Sequence, residues 1–169
     1  MSIEDELLRL ARERDTATEA ALAGLMLEPP NILRLQLRAY LSRQVDHGRI
    51  RRTDEKIPQL AKVQGGLDEL SCPELEFSSG VRLTFNIQLE EHQRGWLVKR
   101  FKFHVHLPQP RSIKMVRIHL NAAVMQDPLT APRCHMHIGD SRAHVPFPVM
   151  NPRLILRLIC GHIEPDLGV

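Results

Sequence analysis

From Val81 to Leu89 every odd residue is apolar (Val81, Leu83, Phe85, Ile87, Leu89), and the even residues between them are Arg82, Thr84, Asn86 and Gln88. A strict period of two belongs to a strand with one dry face and one wet face, and no helix satisfies it. The same period returns three times. Phe101, Phe103, Val105 and Leu107 alternate with Arg100, Lys102, His104 and His106, with Lys99 as the one polar residue in the apolar parity. Val116, Ile118 and Leu120 alternate with Arg117 and His119, and Cys134, Met136 and Ile138 alternate with Arg133, His135 and His137. Four such strands joined by turns predict an antiparallel meander.

The flanking segments read differently. Residues 3–25 carry Ile3, Leu7, Leu10, Ala11, Leu22 and Leu25 at helical spacing, with Ser2 and the acids at 4–6 as a start signal. Pro29-Pro30 breaks that helix. A second is predicted over 31–46, capped by Asn31 and ended by Gly48, with Leu33, Leu37 and Leu41 inward. Asn151-Pro152 opens a last helix running to Gly161, with Leu154, Ile155, Leu158 and Ile159 as its buried stripe. The expected fold is α+β: a four- to five-stranded antiparallel meander, helices packed on one face, and a basic, histidine-rich opposite face. The expected organisation is an N-terminal helical region over 1–52, an irregular connector rich in Pro and Gly over 53–80, and the sheet with its terminal helix over 81–169, all in one compact domain.

Charge follows the same division. Residues 81–139 hold nine Lys/Arg against three Asp/Glu, whereas residues 1–28 hold three against seven. That asymmetry points to an anionic partner for the sheet region. No apolar run approaches a membrane span, and the alternating acids and bases of residues 1–15 are unlike a secretory signal, so no membrane partner is expected. Three cysteines without CxxC spacing fit a reducing, cytoplasmic setting better than a disulfide framework. Glycine-rich phosphate loops, GxSxG and HExxH are absent from the sequence.

Seven of the nine histidines lie at or after His104. The doublets His104/His106 and His135/His137 each place two imidazoles on one side of a strand, and three readings stand side by side. Imidazoles ligate zinc, copper and nickel, yet no carboxylate shares their parity, Cys134 has the opposite one, and neighbouring Arg and Lys repel a cation. Alternatively, His104, His106, His135 and His137 act as acid and base on a phosphodiester, with Arg82, Arg100, Lys102, Arg117 and Arg133 on the phosphates. Trp96 and Phe147 are the only aromatics at hand for base stacking. Finally, the face is simply a solvated surface or a docking surface. His144 and Arg142 follow closely enough in sequence to join a site there.

The stretch from Phe101 to Pro148 resembles the TumE-like toxins of bacterial toxin–antitoxin pairs. The likeness lies in the ordering of basic strand, further strand, HxHIG doublet (His135-Met136-His137-Ile138-Gly139), polar turn and Pro-containing extension to a terminal helix. It implies an RNA-directed toxin neutralised by a protein partner, with His135 and His137 at the matched positions; a similar sheet in another mobile-element or phage-defence protein is the alternative. The sequence reading is thus a nucleic-acid-acting protein with metal-independent ribonuclease chemistry, no cofactor and no assigned metal ligands. RNA or another polyanion and a protein are its expected partners. The alternatives are a non-catalytic interaction subunit of a defence or mobile-element assembly, or a histidine-rich metal-binding protein.

Overall fold

A computed structural model describes residues 2–51, 59–63, 67–110, 112–121 and 132–163. Helices α1 (Ile3–Gly24) and α2 (Pro30–Asp46) precede seven strands: β1 (Gln59–Val63), β2 (Leu67–Glu76), β3 (Arg82–His92), β4 (Gly95–His106), β5 (Met115–Leu120), β6 (Cys134–Ile138) and β7 (Val145–Pro146). Helix α3 (Pro152–Leu158) runs into a π-helical turn, Ile159–Ile163. The strands form one antiparallel sheet in the order β1-β2-β3-β4-β5-β6-β7, so every strand bonds its neighbour in sequence. The fold is α+β with an antiparallel sheet. No helix of the described residues is long and apolar enough to cross a membrane.

The sheet is larger than the four or five strands expected, because β1 and β2 occupy the stretch read as an irregular connector. Four acids and Pro73 disguise β2 as a loop. Its burial explains the disguise: Leu70 and Cys72 are buried, then Leu75 and Phe77. The alternation slips by one residue between Cys72 and Leu75, where the pairing with β3 also shifts. A bulge at this point accommodates a proline that cannot donate to the ladder and keeps both halves of the strand facing the core.

Register fixes which side chains share a row. Phe85 pairs with Phe103, Phe103 with Ile118 and Ile118 with Met136, giving one apolar row across β3 to β6. The Phe85 and Phe103 rings stack at 5.5 Å, and Phe101 meets Phe103 edge-on at 5.8 Å. This layer joins Leu33, Leu37 and Leu41 of α2, and Ile155, Leu156, Ile159 and Cys160 at the C-terminal end, in one core. Each fully buried leucine contributes about 1.5–3 kcal/mol, so the α2 stripe holds that helix more firmly than intrinsic propensity does. The Lys99 exception is explained by a second register shift. Gln88 pairs with Arg100 and Leu89 with Val98, leaving Lys99 as the extra residue, and Val98 is buried in its place.

Helix ends agree with expectation at Ser2, whose side chain and that of Asp5 form a reciprocal capping box. They differ at α2. Its N-cap is Pro29, with Pro30 in the first turn and no side-chain cap, so Asn31 lies within the helix. Proline at the first position needs no amide donor, which makes the cap dispensable. Asn151 caps α3 by accepting from the Arg153 amide at 2.9 Å. The buried residues there are Pro152, Ile155, Leu156, Ile159 and Cys160, whereas Leu154 is 49% exposed. The switch to π geometry at Ile159 widens the turn and brings Cys160 inward. Ile3, Leu7 and Leu10, on the predicted apolar stripe of α1, are exposed.

Candidate functional site

On the other parity, the register assembles the histidines. Lys102 pairs with His119 and His119 with His135, while His104 pairs with Arg117 and Arg117 with His137. Two adjacent cross-strand rows therefore interleave four histidines with two cations, at spacings where opposite and diagonal side chains touch. The Nε2 atoms of His104 and His119 are 2.9 Å apart. His119 meets the rings of His135 and His137, both at 5.4 Å between centroids, and those two rings lie 4.9 Å apart. His144, from the segment between β6 and β7, packs edge-on against His135 at 4.6 Å and meets His137 at 4.5 Å. Five imidazoles thus form one contiguous group.

The group is drier than a solvated sheet face. His135 is 2% exposed and His137 8%. The alternation predicted polarity at these positions correctly but solvation incorrectly, because the loop bearing His144 and the Pro132 backbone close over β6. Burial pushes the His119 pKa down to about 3, assisted by the positive charges of the neighbouring histidines and Lys102. Burial also lowers His135 to about 4, against the opposing pull of the Pro132 carbonyl. His104 and His137 are lowered as well, first by burial and then by the Arg117 charge. All four shifts favour the neutral imidazole.

Tautomers follow from the partners. The Pro132 carbonyl, 2.6 Å from His135 Nδ1, only accepts, so Nδ1 carries the hydrogen and Nε2 presents a lone pair. This is the arrangement by which a backbone carbonyl orients a metal-ligating imidazole. His137 Nδ1 is buried without a hydrogen-bond partner among the described residues. His119, His135 and His137 each offer one ligand nitrogen, all within 4.8 Å of one another. A tetrahedral ion with Zn–N bonds of 2.0–2.1 Å holds its nitrogens about 3.3 Å apart, closer than the 4.8 Å within which these three fall.

The sequence candidates are distributed unevenly around this centre. His104, His135 and His137 belong to it. His106 lies one row further on, paired with Arg82 and Met115, and takes part in none of the ring contacts among the described residues. Arg133 is not on display. Its side chain is 9% exposed, and the guanidinium bonds Glu19 of α1 and, at 3.4 Å, the Lys99 carbonyl. It precedes β6, so strand parity has no hold on it. Arg82 faces Glu74 at 3.6 Å. Arg100 and Arg117 each keep a buried Nε without a partner among the described residues, and Lys102 is exposed.

The expected absence of carboxylates on this parity is also corrected. Glu69, in the row of Gln88 and Arg100, accepts from Asn86 at 2.6 Å and from Gln88 at 3.0 Å. It arrives on β2, the strand that the sequence reading missed. Trp96 and Phe147 pack against the core. Sequence reasoning placed His119 on the right parity but outside the site, since only register reveals that it stands between His104 and His135. Compared with known proteins, the chain matches no family model, no curated protein and no solved structure.

Proposed function

We propose that this protein binds a divalent transition metal ion, with zinc the leading candidate, through His119, His135 and His137. His144 stands beside two of the three ligands, where it can supply a fourth nitrogen or flank an open position. The observation that carries this reading is the convergence of three imidazole nitrogens within 4.8 Å, one of them with its tautomer set by the Pro132 carbonyl. Neutral imidazole is the ligating form, and burial keeps these rings neutral. Three protein ligands and a free position make a Lewis-acid centre that polarises a bound oxygen or activates water.

The same facts weigh against metal-independent acid–base cleavage. That chemistry needs one protonated imidazole near neutral pH, and the downward shifts of His104, His119, His135 and His137 favour the neutral form instead. Protein stripped with a chelator and then titrated with zinc or cobalt(II) provides the test. One ion should bind per chain, with the absorption of tetrahedral cobalt, and His135→Ala or His137→Ala should abolish stoichiometric uptake. A folded wild-type protein that takes up no zinc, cobalt, nickel or copper overturns the reading.

A further inference from the structure

We propose that the histidine centre and the cations beside it form a site for a phosphate ester, with Lys102 and Arg117 as its anion contacts. This rests on the metal reading above and specifies the ligand of that same site.

The charge balance comes first. Three neutral imidazoles leave the full positive charge of a divalent ion uncompensated. Among the described residues, the nearby carboxylates are already paired or face solvent. Glu69 is held by Asn86 and Gln88, Glu74 by Arg82, and Glu19 by Arg133. Asp140, in the turn after β6, is exposed to solvent. Against these stand two cations within the histidine rows. Lys102 lies between Asn86 and His119, and Arg117 between His104 and His137. Arg117 reaches the carbonyls of Gly139 and Ser141 only at 3.5 Å each, and its Nε is buried without an acceptor among the described residues. An anion supplies the missing acceptor.

Geometry narrows the anion. Three positive centres would border the anion: the proposed ion on β5–β6, the Arg117 guanidinium on β5 and the Lys102 ammonium on β4. A carboxylate has two oxygens and one charge, as does an internal phosphodiester, whereas a phosphate monoester has three terminal oxygens and up to two charges, with arginine and lysine as its usual partners. The rest of the ligand has a place to lie. Ser71, Thr84, Asn86, Lys102 and His104, with the apolar Cys72 and Phe85, line a groove across β2–β4 that reaches the histidine cluster at His104. Its walls are mixed, with Cys72 and Phe85 beside the Ser71 and Thr84 hydroxyls and the Asn86 amide already bonded to Glu69, so it suits the organic part of a phosphate monoester, whether a small molecule or the 5′ end of a nucleic acid.

The test uses the full chain loaded with cobalt(II), titrated in parallel with phenyl phosphate, a short 5′-phosphorylated single-stranded RNA and acetate while the cobalt absorption is followed. Phenyl phosphate or the RNA should perturb the spectrum saturably, and acetate should not. Lys102→Gln and Arg117→Gln should each weaken that binding about tenfold to a hundredfold, with Lys102→Gln still taking up one cobalt per chain. Lys102 is exposed, so its variant remains informative if Arg117→Gln fails to fold. RNA binding tighter than phenyl phosphate assigns the site to nucleic acid, and the reverse assigns it to a small ester. Failure of the wild type to load cobalt overturns the metal reading and this inference with it. Cobalt uptake with no phosphate response, or an equal response to acetate, overturns this inference alone.

Discussion

His104 Nε2 lies 2.9 Å from His119 Nε2, so one imidazole must donate a hydrogen to the other. If His119 is to lend a lone pair to a metal while keeping this bond, it must donate from Nε2 and ligate through Nδ1. His104 then orients a ligand without being one. His104→Ala should lower zinc affinity about 10–100-fold without changing the stoichiometry. His104→Gln, whose side-chain carbonyl also accepts, should recover part of the loss. Competition against a chelating dye measures both, and unchanged affinity in the alanine variant would show that the contact does not set the ligand geometry.

Metal-free protein should lose stability as the medium is acidified. In the unfolded chain His119 and His135 take up protons near their ordinary value of about 6.5. In the folded chain burial holds them down to about 3 and about 4. Between those values the unfolded state binds more protons, so stability is complete above about pH 6.5 and declines as pH falls towards the folded values. Melting temperatures of the wild type should therefore drop more steeply over that window than those of a His119→Gln, His135→Gln variant. Parallel curves would contradict the burial of these rings.

Arg133 joins the sheet to α1 through Glu19 and reaches the Lys99 carbonyl at the β4 bulge. Glu19→Ala leaves a guanidinium that is nearly enclosed without its counter-charge, and should cost about 1–3 kcal/mol in denaturant unfolding. Metal affinity should be unchanged. A loss of metal binding without a loss of stability would place Arg133 in the site after all.

Gly95 closes the β3–β4 turn at a φ of 141°, where a Cβ would come within 2.9 Å of the Met26 side chain. The next residue, Trp96, accepts from the Leu27 amide at 2.9 Å, which ties the link between the two helices to the sheet. Gly95→Ala should destabilise the protein by about 1–3 kcal/mol, mostly from backbone strain, because the methionine end can move aside. Hydrogen exchange at the Leu27 amide should rise with it.

Much of this was legible in the residue order. Alternation located β3 to β6 and assigned the correct parity to every residue of the Phe85–Met136 row. Where the pattern was interrupted, the reading failed for identifiable reasons. A bulge at Pro73 hid β2, and with it Glu69 and the far wall of the groove. The polar parity of His135 was correct, but parity does not reveal whether a later segment folds back over a strand. Arg133 was misassigned because period two was extended one residue beyond the strand that generates it. The five-ring cluster depended on register, which is set by turns rather than by alternation.

The uninterrupted meander bears on how a metal site of this kind would arise during folding. Every strand finds its partner next to it in sequence, and the three proposed ligands fall between positions 119 and 137. Chain-closure entropy rises only slowly with loop length, and contacts that are local in sequence form quickly. Pairing of β5 with β6 alone brings the three nitrogens onto one hairpin, before the N-terminal helices have to dock. An ion captured at that stage would act as a clamp on a single hairpin, so metal should accelerate refolding more than it slows unfolding.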